Sequence, residues 1–109
     1  MLIEKYYNEV GEVAVLVSGG YGAGWSTWGG GGIESFLCMD KGLVELHLKG
    51  ASEKEVREYI KIKTSRDKYV GSAWEDIQIK WLPQGTAFII EEYDGAESIR
   101  TLDNLTLVA

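Results

Sequence analysis

One cysteine, one proline and one histidine in 109 residues leave little for the chemistries that depend on them. A lone Cys38 cannot form an intramolecular disulfide, and it fits a reducing compartment. With one histidine, His47, beside that one cysteine, a zinc site lacks its usual ligand set. A Cys38–His47 nucleophile pair can be drawn, but nothing in the spacing positions the two, and a plain buried cysteine is the simpler reading. No apolar run approaches the roughly 20 residues of a membrane span. The opening Met1-Leu2-Ile3-Glu4-Lys5 lacks a signal-peptide layout, so a cytoplasmic chain with no membrane partner is expected. Positive charge is also scarce: 11 Lys and Arg stand against 17 Asp and Glu, a net charge of −6. That disfavours direct DNA or RNA binding, whose affinity rests on cations at phosphates. It leaves room for a small anionic ligand held by backbone amides and one or two local cations.

Glycine is abundant and concentrated. Eight of the 14 glycines fall in Ser18–Gly32, together with two of the four tryptophans. The stretch follows Val13–Val17, an apolar run with the length and β-branching of a strand covered on both faces. A strand running into an amide-rich aromatic loop is a credible binding element. Successive free N–H groups can form an anion nest. Trp25, Trp28 and Tyr21 offer flat faces with polar edges, and Ser18, Ser26 and Thr27 add directional hydrogen bonds. The candidate ligand-binding residues are therefore Ser18, Gly19, Gly20, Tyr21, Gly22, Gly24, Trp25, Ser26, Thr27 and Trp28. The loop is not a P-loop, because no G-x-x-x-x-G-K-[ST] pattern is present. Gly20-Tyr21-Gly22-Ala23-Gly24 is also not the dinucleotide fingerprint. The competing structural reading is a tight chain crossing whose Trp25 and Trp28 fill the core.

The length and an ordinary 45% hydrophobic content describe a single domain over residues 1–109. Met1–Glu12 reads as a short strand and turn, and Ile33–Met39 as a short helix or strand. In Asp40–Lys49, Val44, Leu46 and Leu48 alternate with polar residues, which favours a strand. The alternative is a helix capped by Asp40. Ser52–Thr64 is the clearest helix, with Ser52 and Glu55 as a capping box and a Glu53–Arg57 pair one turn apart. Ser65–Ala73 is a polar loop. The last third reads as antiparallel strands: Ile77–Trp81, a type I turn at Pro83-Gln84-Gly85, then Phe88–Tyr93 and Ala96–Leu102 around an Asp94-Gly95 hairpin turn. Leu102–Val108 follows as a further strand or tail. The expected fold is α+β, a mostly antiparallel sheet with one main helix packed on it.

The carboxylates cluster as Glu91-Glu92, Asp94 and Glu97 near the hairpin turn, where a pair could do acid–base work. An acidic, solvated hairpin rim is the simpler reading. Two segments together resemble a small family of phage and prophage proteins. Val13–Trp28 is similar to that family's AVLISPGFGAGWSTW segment. Trp81-Leu82-Pro83-Gln84-Gly85-Thr86, with Phe88 and Glu92–Ile99, is similar to its WVP-G-x-x-F-x-I-x-EYDG-x-E-x-I segment. The resemblance implies a phage or prophage origin and motifs that travel together, with the Gly29–Gly32 run as a departure. If the motifs meet in space, Tyr93 and Glu97 join the loop. The combination suits a nucleotide-like ligand: ring stacking, amides to phosphate, a carboxylate to a ribose hydroxyl or base N–H. The function expected is a non-catalytic, phage-type binding protein that needs no cofactor or metal. It would sequester a nucleotide-like ligand, such as a host defence signal, as a homo-oligomer. The alternatives are an acidic inhibitor of a host protein and a small hydrolase using the hairpin carboxylates.

Overall fold

The computed structural model describes residues 3–28, 31–68 and 70–101. Gly29, Gly30 and the expected Leu102–Val108 strand lie outside the described residues. The chain is α+β, and its strands pair antiparallel in two small sheets rather than one. β1 (Val13–Ser18) pairs with β2 (Ile77–Leu82), running from Val13 opposite Leu82 to Ser18 opposite Ile77. β3 (Phe88–Tyr93) and β4 (Ala96–Thr101) form the expected hairpin. Asp94 and Gly95 turn it with φ of 50° and 89°, the two positive values a type I′ turn requires.

Among the described residues, four helices lie between β1 and β2 in the chain: α1 (Glu34–Met39), α2 (Lys41–Leu48), α3 (Glu53–Thr64) and α4 (Gly71–Glu75). α3 is the longest, and its amide at Glu55 donates to the Ser52 hydroxyl as the capping box predicts. It is not the sole packing helix. α2 buries Leu43 and Val44 as α3 buries Val56 and Ile60. Arg57 turns from Glu53 to Asp67, where it makes two hydrogen bonds of 2.6 Å.

The strand expected at Asp40–Lys49 is α2. Asp40 stops α1 with an extended backbone and restarts the chain by accepting the Leu43 amide at 3.1 Å. Burial explains the outcome. Adjacent Leu43 and Val44 are both fully buried while Leu48 is 55% exposed. A helix can bury neighbours on one stripe, whereas a one-sided strand points them apart. The turn after β2 also differs. The Thr86 amide donates to Pro83, so Pro83 opens the turn, and Gly85 takes the positive φ that a type II turn asks of its third residue.

β1 is the centre of the molecule, buried at all six positions. Ala14 and Leu16 face the helical layer, with Trp25, Leu37, Leu43, Ile60 and Trp74. Val15 and Val17 face the hairpin, packing with Cys38, Phe88, Ile90 and Ile99. A strand covered on both faces needs apolar residues at every position, which Val13–Val17 supplies. Among the described residues, no helix is long and apolar enough to cross a membrane.

Candidate functional site

β1 delivers the glycine loop to the hairpin, and the two motifs meet. The Gly22 amide donates to the Asp94 carbonyl at 2.6 Å, and a Cβ on Gly95 would run into the backbone nitrogen of Ala23. Glu97 is the joint. Register puts it opposite Glu92 on the face of the hairpin that also carries Ile90 and Ile99, turned toward β1. Its Oε1 accepts the Ser18 amide at 2.8 Å. Its Oε2 accepts the Trp25 amide at 2.9 Å, the Thr27 amide at 3.1 Å and the Thr27 hydroxyl at 2.6 Å. The backbone at the loop therefore does hold an anion, and that anion is the chain's own carboxylate. Four donors replace the water a buried carboxylate would lose.

The rest of the loop is tied from both sides. The Ser18 hydroxyl donates to the Ala23 carbonyl at 2.9 Å, and the Gly19 amide to the Asp76 carbonyl at 2.8 Å. Gly20 lies against the Asp76 carboxylate, and Gly24 beneath Trp28. Trp25 is fully buried, donates Nε1–H to the Leu37 carbonyl at 2.6 Å, and packs on Trp74 with ring centres 5.6 Å apart. Lys68 Nζ sits 5.3 Å from the centre of the Trp25 ring and donates to the Trp28 carbonyl at 3.1 Å. Burial pulls the Lys68 pKa down, opposed by the charge of Glu97. Arg66 donates to the Gly31 carbonyl. The sequence reading missed Lys68 and Arg66, because a polar loop reveals neither its path nor the carbonyls it will cover.

The arrangement revises two expected roles. Trp25 faces the core, so it offers no ring to a ligand from solvent. Glu97 already holds four donors, so it has no free role toward a ribose. Tyr21 and Tyr93 stand out at 73% and 78% exposure, and Trp28 at 41%. Ser26 and Thr27 line a cleft of about 400 Å³ between the loop, α1 and β3. Its apolar wall is Cys38, Met39, Phe88 and Ile90, and Glu34 and Ser35 stand at its polar side. Burial pushes the Cys38 thiol up to about 12, so it is a neutral packing group and no nucleophile at neutral pH. His47 lies elsewhere, edge-on to Trp74 in the helical layer.

The acid–base reading of the hairpin also meets an obstacle. Glu91 is opposite Ser98 and Glu97 is opposite Glu92, so Glu91 and Glu97 project from opposite faces. Glu91 takes an ion pair from Arg100 at 3.4 Å. Among the described residues, no group of three or more His, Cys, Asp or Glu side chains converges as a metal site.

The chain matches no protein-family model, no curated protein and no solved structure. The likeness of the two motifs to a phage family therefore rests on those motifs alone.

Proposed function

We propose that this chain is a small, non-catalytic binding protein that holds a nucleotide-like ligand by its base in the cleft beside the glycine loop. The supporting observation is preorganisation. Ser26 and Thr27 form one wall of the cleft, and Glu97 holds the backbone of Trp25 and Thr27 on either side of Ser26. A wall fixed before the ligand arrives spares the entropy of ordering it. The cleft volume is in the range used for small molecules. Its apolar wall suits a flat ring, and the Ser26, Thr27 and Ser35 hydroxyls with the Glu34 carboxylate suit the donors on that ring's edge. The phosphate faces solvent, because the Trp25 and Thr27 amides that flank the cleft wall are committed to Glu97. With the phage origin that the two motifs imply, the role is sequestration of a host signalling nucleotide in the host cytoplasm.

Calorimetry with nucleosides and with mono-, di- and cyclic nucleotides tests this. One base class should bind whether or not it carries phosphate. Ser35→Trp, an exposed position that would fill the cleft, should weaken binding by about tenfold or more with an unchanged melt. Silence across the whole panel, in both heat and melting shift, rejects the reading. A second reading then takes its place, carried by the exposed run Glu91, Glu92, Tyr93 and Asp94 on the hairpin. There the acidic tip engages a basic host protein, with the steep salt dependence such steering shows.

A further inference from the structure

A second cavity, of about 470 Å³, opens among the N-terminal segment, α2 and α3. At its floor is Asp40, 8% exposed. Asp40 Oδ2 accepts both the Leu43 amide at 3.1 Å and the Tyr59 hydroxyl at 2.6 Å. Oδ1 receives no hydrogen bond among the described residues. Asp40 is one of the residues that line the cavity. A carboxylate held in place by the Leu43 amide and the Tyr59 hydroxyl is a preformed acceptor for a cationic donor.

The charges around it have both signs. Lys41 is committed to Glu4 at 3.3 Å. Glu45 of α2 and Lys63 of α3 also line the cavity and have no ion-pair partner among the described residues. Lys63 Nζ stands 5.8 Å from the centre of the Tyr59 ring. Tyr59 stacks on Phe36, ring centres 6.1 Å apart and planes inclined by 16°, and both rings line the space. Gly42 makes this possible, because a Cβ there would strike the Tyr59 hydroxyl. A glycine inside a helix is destabilising relative to alanine, and here it lets Tyr59 lie across α2.

A simple anion would meet Asp40, Glu45 and Glu4 together. A simple cation would satisfy the carboxylates but leave Lys63 without a counter-charge. A ligand with both charges satisfies both, and the ring pair offers a surface for an apolar side chain. We propose that this cavity binds a free amino acid with a large apolar or aromatic side chain. Its ammonium is received by Asp40 Oδ1 and Glu45, its carboxylate by Lys63, and its side chain lies against Phe36 and Tyr59.

The test uses L-phenylalanine and L-leucine as probes, with phenethylamine and 3-phenylpropionate as half-ligands that each lack one charge. Calorimetry on the full chain should give binding for at least one amino acid, and binding about tenfold or more weaker for each half-ligand. Lys63→Met should weaken the amino acid by a similar factor, leave phenethylamine no weaker, and leave the melt near wild type because Lys63 makes no ion pair among the described residues. Lys61→Met, on the same helix and outside the cavity, should change nothing. The proposal is overturned if neither amino acid binds, if phenethylamine binds as tightly as L-phenylalanine, or if Lys63→Met leaves amino-acid affinity intact. None of these residues lines the cleft beside the glycine loop, so the nucleotide panel and this one succeed or fail independently.

Discussion

At the residue scale Glu97 decides more than any other side chain. It is 6% exposed and receives four hydrogen bonds from residues 70 to 79 positions away in sequence. Glu97→Gln keeps the shape but removes the charge, and it turns an amide –NH2 toward groups that are themselves donors. A hydrogen bond to a charged group contributes roughly 1.5–3 kcal/mol, and a buried donor left unsatisfied costs about 1–3 kcal/mol. Glu97→Gln should therefore lower unfolding free energy by about 2–4 kcal/mol in a denaturant melt. If Glu97 were instead a ligand-facing group, the melt would stay near wild type and only affinity would fall.

At the element scale, the loop and the hairpin act as one unit. Gly95 has φ +89°, and a Cβ there would overlap the Ala23 backbone nitrogen. Gly95→Ala thus meets two costs together, a strained backbone conformation and a collision with main chain that cannot rotate away. Strain of the first kind alone is worth of order 1–3 kcal/mol. The expected result is a loss of about 2–4 kcal/mol with amide signals of Gly22–Thr27 shifted in an NMR spectrum. Unmoved loop signals would show that the hairpin turn and the loop are independent.

At the scale of the whole molecule, β1 separates two apolar layers. Among the described residues, β2 pairs with β1 alone, and β3 and β4 pair with each other. Open edges of this kind invite a further strand. Trp81 on β2 is 36% exposed beside Tyr6, with ring centres 6.1 Å apart. We expect self-association through the β2 edge, with Trp81 buried on assembly, since aromatics concentrate at interface cores. Sedimentation at high micromolar concentration should show an oligomer, and Trp81→Glu should return it to monomer. A wild-type monomer at that concentration removes the expectation.

Local chemistry was legible in the sequence. The buried strand at Val13–Val17, the cap at Ser52 and the turn at Asp94-Gly95 depend on a few adjacent residues, and each appears where its pattern places it. What tertiary structure alone decided is what those groups meet. The alternation at Val44–Leu48 suited a strand until packing required Leu43 and Val44 to be buried side by side. Trp25 had the chemistry to stack on a ligand, but Trp74 and the Leu37 carbonyl took it into the core. Glu97 had the chemistry to bind a ligand, but the hairpin register turned it toward β1 and gave it to the loop. A side chain's donors, acceptors and rings are set by its type, whereas its partner is set by which distant segment the fold packs against it.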